Sequence, residues 1–87
     1  MRDPDGAGGT KAHRLDTRGS FCPTPVIETA AAMRALAPGE VLEVLADDPG
    51  VLLDLPAWCA SHRQRLVEML REGRLIRVRI MKTGESA

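Results

Sequence analysis

Two prolines on either side of one threonine, in the stretch Cys22-Pro23-Thr24-Pro25, constrain the fold of this chain more than any other feature. Proline is favoured in the first turn of an α-helix, and a residue that precedes proline is pushed out of the helical conformation. We therefore expect a helix that begins here, with Cys22 as the N-cap, Pro23 as the first helical residue and Leu36 near the end.

The expected helix start has a chemical consequence for Cys22. The first turn of a helix carries unpaired N–H groups and a partial positive charge. Pro23 and Pro25 have no N–H, so the amides of Thr24 and Val26 are the nearest donors to the sulfur. A thiolate in this position is stabilised, which predicts a lowered pKa and a nucleophilic sulfur. The alternative is that Cys22 is a small buried apolar residue, and these residues alone leave both interpretations open.

Length and composition limit the possible functions. A chain of 87 residues is expected to form one domain. Its net charge is zero, and it has one Trp, one Phe and no Tyr. A base-stacking surface is therefore not expected, and nucleic-acid binding through Arg65, Arg71, Arg77 and Arg79 is disfavoured.

The two cysteines, Cys22 and Cys59, indicate the compartment. The N-terminus lacks the apolar segment of a signal peptide, and no stretch is long enough to span a membrane, so we expect a cytoplasmic protein without a structural disulfide. With His13 and His62 the cysteines lack the paired spacing of zinc sites, so no metal or cofactor is expected. Cys59, beside Trp58, is expected to be a packing residue.

The first half of the chain predicts a tail, a strand, a helix and a second strand. Residues 1–11 are rich in Gly, Asp and Pro and are expected to be disordered. Residues 12–16 form a weak strand at best, and Glu40–Ala46 is a clear one. Apolar residues of the intervening helix recur at helical spacing and are expected to face the core: Val26, Ile27, Ala30, Met33, Leu36 and Ala37.

The second half is less uniform. A turn at residues 47–50 is followed by a helix to about His62, in which Pro56 is expected to kink the chain or to separate a first turn. Residues 64–71 are ambiguous. Their helix propensity favours an extension of this helix to Arg71, but if residues 65–71 pair with the next strand, the turn after them makes a hairpin. Leu75–Lys82 alternates as a strand with one solvated face, and residues 84–87 are expected to be a tail.

Three separated motifs resemble the TusA family of small sulfur-carrier proteins, also called SirA-like. The first runs from Leu15-Asp16 through Arg18-Gly19 to Cys22-Pro23-x-Pro25-Val26, and the second is Leu36-x-Pro38-Gly39-Glu40-x-Leu42. The third is Ala46-Asp47-Asp48-Pro49 with Asp54-Leu55-Pro56 after it. Their order and spacing make the match specific.

The resemblance implies an α/β (α+β) two-layer sandwich of order βαβαββ, with two helices on one face of a four-stranded mixed sheet. It places the domain at residues 12–83, between the N-terminal tail 1–11 and the C-terminal tail 84–87. It also places a third strand at Arg65–Arg71, paired with the last strand, against the local helix propensity of that stretch.

The resemblance further implies that Cys22 carries sulfane sulfur as a persulfide, without metal or cofactor. A donor protein, a cysteine desulfurase or a rhodanese-like enzyme, would load it, and the cysteine of an acceptor protein would take the sulfur. Such a chain is a sulfurtransferase only in the sense that it passes sulfur along a relay. The supporting residues are Arg18, as a source of positive potential or as a surface cation without a role, and Pro23, Thr24, Pro25 and Val26.

The pathway stays open among tRNA thiolation, sulfur oxidation, cofactor synthesis and thiosulfate use. The rival hypothesis is a non-catalytic regulatory or protein-binding module. Relatives often carry a basic residue where Ala31 stands, and Gly-His-Glu where this chain has Arg63-Gln64-Arg65. These departures concern the docking of partners rather than the chemistry of Cys22.

Overall fold

One four-stranded sheet and two helices make up the structure, a computed structural model that describes residues 12–21 and 23–84. The elements are β1 (Ala12–Asp16), α1 (Thr24–Arg34), β2 (Val41–Ala46), α2 (Val51–Ser61), β3 (Arg65–Glu72) and β4 (Leu75–Met81). The predicted βαβαββ sandwich is therefore confirmed. The predicted tails, apart from Gly84, and the predicted site at Cys22 lie outside the described residues.

The strand order β1-β2-β4-β3 determines where the helices begin. β1 and β2 are parallel, and β4 is antiparallel to both β2 and β3. The strands β1, β2 and β3 therefore run in the same direction and end at one edge of the sheet. Both helices return across the sheet from that edge, so their N-termini lie there, together with the turn between β3 and β4.

The core lies between the helices and one face of the sheet. Register pairs Leu42 with Ile80 and Val44 with Val78, so these side chains point to the same face. The predicted alternation of β4 is confirmed, because Ile76, Val78 and Ile80 are all buried. This face is covered by Met33 of α1, by Leu36 just after that helix, and by four residues of α2: Val51, Leu55, Trp58 and Cys59.

The buried face of α1 differs from the predicted one at two positions. Ile27 is 61% exposed and Ala37 is also exposed, whereas Pro25 and Thr29 are buried. Met33 and Leu36 pack as expected. The stripe is rotated because Pro25, Thr29 and Met33 recur at spacings of four, and polarity alone does not mark a threonine as a core residue.

Residues 65–72 form a strand, so the third strand that the resemblance implies at Arg65–Arg71 is confirmed, and the extension of α2 that local propensity favours is wrong. α2 ends at Ser61, and β3 pairs with β4 through a bulge between Leu66 and Glu68. The cross-strand pairs with β4 outweigh the small helix preference of single residues.

Pro56 lies inside one continuous helix, so the expected separate first turn is absent. Val51 and Leu55 before the proline and Trp58 and Cys59 after it are buried in the same core. Packing of both halves against one sheet face therefore holds the helix together despite the missing N–H of Pro56.

Candidate functional site

The turn after β1 is held by a dense set of hydrogen bonds. The Asp16 carboxylate accepts bonds from the backbone N–H of Arg18 (3.0 Å) and from its Nε (2.9 Å) and Nη2 (2.7 Å). Gly19, at φ 89°, donates its N–H to Asp47 Oδ1 at 3.0 Å. Thr17 anchors the turn to the sheet, since its N–H and Oγ1 both donate to the Leu45 carbonyl, at 2.8 and 2.7 Å. These hydrogen bonds hold residues 16–19 in a fixed loop.

Arg18 forms a bidentate ion pair with Asp16. The hydrogen bonds from the Arg18 side chain and backbone lower the pKa of Asp16 to about 2, and the same pair raises the pKa of Arg18. Asp16 therefore fixes the turn that follows β1. The charge of Arg18 is largely offset by its partner, and a role of Arg18 toward Cys22 stays a prediction.

Helix α1 begins one residue later than predicted. Pro23 is the N-cap, at φ −98° and ψ 11°, so Thr24 is the first helical residue and Pro25 the second. The Thr24 N–H donates to the Phe21 carbonyl at 2.8 Å, which closes a turn before the helix starts. The assignment of Cys22 as N-cap and Pro23 as N1 is therefore wrong, because this turn uses the residues that would have opened the helix.

The same turn changes the set of amide donors near position 22. The Thr24 N–H is already engaged, so the prediction that it points freely to the sulfur is wrong. Ile27 donates to the Pro23 carbonyl at 3.1 Å. The Val26 N–H is the first-turn donor whose acceptor is not found among residues 12–21 and 23–84.

Both chain neighbours of Cys22 lie at the surface. Phe21 is 75% exposed and Pro23 is also exposed, whereas Thr24 and Val26 are half-buried and Pro25 is buried. The supporting residues of the motif thus range from exposed to buried at the start of α1. Pro25 is one of the buried residues of α1, and Val26 packs against the core.

The other cysteine, Cys59, is buried and has an unreactive thiol. Cys59 is 3% exposed within the core, and burial raises the pKa of its thiol to about 11. A thiolate is therefore scarce there near neutral pH, and the prediction that Cys59 is a packing residue is confirmed. Trp58 is also buried in the core and stacks on His62 with ring centroids 4.5 Å apart.

A concavity of about 480 Å³ opens beside the loop that leads to position 22. Its walls come from the β1–α1 loop, the β2–α2 turn and the tip of the β3–β4 hairpin, which the topology brings to one edge. The lining residues are Gly19, Phe21, Asp47, Asp48, Pro49, Arg71, Arg74 and Ile76. Sequence reasoning considered Arg71 only for nucleic-acid binding and did not single out Arg74, because only the pairing of β3 with β4 places both residues here.

The acidic residues of the concavity have structural roles. Asp47 Oδ1 binds the Gly19 N–H at 3.0 Å, and Asp48 Oδ1 binds the Gly50 N–H at 3.1 Å. These bonds fix the turn before α2 and tie it to the β1–α1 loop.

The arginines considered for nucleic-acid binding do not share one surface. By register, Arg77 and Arg79 lie on the face of the sheet opposite the helices, where Arg77 Nε is 3.4 Å from Glu43 Oε2 and Arg79 Nη1 is 3.2 Å from Glu68 Oε1. Arg71 instead lines the concavity.

The described part of the chain has neither a candidate metal site nor a helix that could span a membrane. Residues 12–21 and 23–84 contain no group of three or more His, Cys, Asp or Glu side chains that could hold a metal ion. Within the same residues, neither helix has the length and apolar character needed to cross a membrane.

A family model described as "Sulfurtransferase TusA" matches residues 13–82, nearly all of the described chain. This chain belongs to the TusA family. The sequence is also similar to that of "Putative sulfur carrier protein YrkI" of Bacillus subtilis. The two sequences are 41% identical over 68 residues, which cover 78% of this chain and 91% of that protein. "Putative sulfur carrier protein YrkF" of the same organism is 39% identical over 71 residues, which cover 82% of this chain but 38% of YrkF.

A solved structure shares the TusA-like fold. The SirA-like protein from Desulfitobacterium hafniense superposes with a TM-score of 0.71 at 26% identity, over 80% of this chain and 96% of that one. Membership of the TusA family, together with this fold, supports a role as a sulfur carrier.

Proposed function

We propose that this chain carries sulfane sulfur as a persulfide on Cys22 and passes it to the cysteine of a partner protein. The observation that carries the proposal is the position of residue 22 within the family match. It lies between exposed Phe21 and Pro23, immediately before the N-cap of α1. A transfer between two proteins requires a sulfur that a second protein can reach, and this loop is at the surface.

The proposed chemistry is two successive exchanges at sulfur. The Cys22 thiolate attacks the outer sulfur of a donor persulfide, the donor S–S bond breaks, and the donor cysteine leaves as a thiolate. The acceptor thiolate then attacks the outer sulfur of the Cys22 persulfide. The S–S bond on Cys22 breaks, and the Cys22 sulfur leaves as a thiolate. No net oxidation or reduction occurs, so no cofactor is needed.

The start of α1 supports such an anion. The N-terminus of the helix has a partial positive charge, and no acceptor for the Val26 N–H is found among residues 12–21 and 23–84. We infer that the Cys22 thiol has a lowered pKa and that its persulfide is ionised near neutral pH. A cytoplasmic location, where thiols remain reduced, fits this chemistry.

The partners in this proposal are a donor protein, a cysteine desulfurase or a rhodanese-like enzyme, and an acceptor protein. The pathway that receives the sulfur is not specified by these residues.

The test is loading by a cysteine desulfurase with free cysteine, followed by intact mass measurement without reductant. We expect the mass of one added sulfur atom, removable by dithiothreitol. Cys22→Ser should abolish the adduct, and Cys59→Ala should retain it, because Cys59 is buried with a raised pKa. Circular dichroism of both variants checks that each is folded.

Loading that survives in folded Cys22→Ser would refute the proposal. An absence of loading in the wild-type chain, with a Cys22 thiol pKa no lower than that of free cysteine, would instead favour the non-catalytic binding module.

A further inference from the structure

The concavity beside the β1–α1 loop has two chemically different walls. One wall is the β2–α2 turn with Asp47 and Asp48, and the other is the tip of the β3–β4 hairpin with Arg71 and Arg74. Phe21 stands at the rim, 75% exposed. Anything that approaches residue 22 from this side meets all three features.

The acidic wall is already engaged within the fold. Asp47 and Asp48 accept hydrogen bonds from the backbone amides of Gly19 and Gly50, at 3.0 and 3.1 Å. Their carboxylates also lie at the edge where both helices begin, and helix N-termini offset negative charge. Their capacity to bind a further cation is therefore reduced.

The basic wall is not engaged in this way. Arg71 Nε donates to the Gly73 carbonyl at 3.1 Å, which positions the side chain but leaves its charge uncompensated. In the described part of the chain, neither Arg71 nor Arg74 has a carboxylate within ion-pair distance. Both residues are exposed, so two unpaired guanidinium groups face the concavity.

An exposed aromatic ring beside arginines is typical of protein interfaces, where these residue types are enriched. Single-stranded nucleic acid would need further stacking rings, but the chain has one Phe, one Trp and no Tyr, and Trp58 is buried in the core. A protein segment fits the concavity better than RNA does.

We propose that this concavity docks a carboxylate-bearing segment of the protein that exchanges sulfur with Cys22. Its acidic side chains pair with Arg71 and Arg74, and its apolar part contacts Phe21, which brings its cysteine to residue 22. This inference rests on the proposed function for its biological meaning, but the docking itself needs only the Cys22 thiol.

The experiment uses two short synthetic peptides, each with one cysteine activated as a 2-pyridyl disulfide. Glutamates flank the cysteine in the first peptide and glutamines in the second. Cys22 attacks the peptide sulfur, forms a mixed disulfide and releases pyridine-2-thione, whose absorbance gives the rate. Cys22→Ser serves as the blank.

At low ionic strength we expect the glutamate peptide to react roughly three- to tenfold faster than the glutamine peptide, since two exposed ion pairs steer it. High salt should bring the ratio of the two rates close to one. The double substitution Arg71→Glu with Arg74→Glu should abolish or invert the ratio. The matched control, Arg34→Glu with Arg65→Glu, gives the same net charge at the opposite edge of the sheet and should retain it.

Three results would overturn the docking inference. They are a ratio near one in the wild-type chain, a ratio that persists in the Arg71/Arg74 variant, and a ratio that the control loses equally. If the ratio persists while both peptides react more slowly, the arginines act on the reactivity of Cys22 instead of on docking. Persulfide loading by a desulfurase is measured separately, so failure of the docking inference is distinguishable from failure of the proposed function.

Discussion

Arg63 offers a quantitative test of backbone strain at the end of α2. It follows the C-cap of α2 and has φ 57°, and among the described residues it is the only non-glycine with a positive φ. Gln64 N–H bonds to the Cys59 carbonyl at 2.9 Å and Arg63 N–H to the Ala60 carbonyl at 3.4 Å. This pair of bonds is a Schellman motif, in which glycine is the favoured residue at the position of Arg63.

The expected magnitude follows from the backbone alone. A residue with a Cβ loses about 1–2 kcal/mol in the left-handed conformation, whereas glycine loses about 0.5–1 kcal/mol more chain entropy on folding. We expect Arg63→Gly to unfold with a free energy roughly 0.5–1 kcal/mol higher than Arg63→Ala. For a domain of this size the melting temperature should rise by about 2–8 °C between the two variants.

The comparison of Arg63→Gly with Arg63→Ala isolates the Cβ, because both variants lack the long side chain and its contacts. Urea and thermal unfolding followed by circular dichroism measure the difference. The reciprocal control is Gly73→Ala, since Gly73 has φ 60° and a Cβ there would meet nothing within 4 Å. That substitution should destabilise by a similar amount. If the glycine variant at position 63 is no more stable than the alanine variant, the strain argument fails.

Two further predictions concern buried and exposed polar groups. Thr29 is 0% exposed and its Oγ1 has no hydrogen-bond partner within residues 12–21 and 23–84, whereas the buried Thr17 Oγ1 donates to the Leu45 carbonyl at 2.7 Å. Thr29→Val should therefore stabilise by about 1 kcal/mol and Thr17→Val should destabilise by about 1 kcal/mol in urea unfolding, because one substitution removes an unsatisfied hydroxyl and the other removes a bond. Equal losses in both variants would contradict this. Asp16 has its pKa lowered to about 2 in the folded chain, against about 4 when unfolded, so its pairing with Arg18 stabilises the fold above pH ~4 and this contribution is lost as the pH falls toward 2. Between pH ~4 and 2, the free energy of unfolding of Asp16→Asn should fall less than that of the wild type, as measured by urea titrations at stepped pH. Parallel curves of unfolding free energy against pH for the two proteins would refute this prediction.

Part of the candidate site follows from the sequence because it is local. Proline in the first helical turn and the turn chemistry of Asp16 and Gly19 act over a few residues, so the sequence places a loop and a helix start around Cys22. The one-residue shift of that start was not predictable, since it depends on a hydrogen bond from Thr24 to Phe21. Single residues at helix ends are the least certain part of any such prediction.

The sequence by itself determined the alternating strand at Leu75–Met81, the buried strand β2 and the quiet role of Cys59, because each depends on periodicity or polarity within one segment. The tertiary structure alone decided what depends on long-range pairing. It made residues 65–72 a strand against their helix propensity, rotated the buried face of α1 and brought Arg71 and Arg74 beside the loop that carries Cys22. Propensity differences amount to tenths of a kcal/mol per residue, and cross-strand pairing with core burial exceeds them.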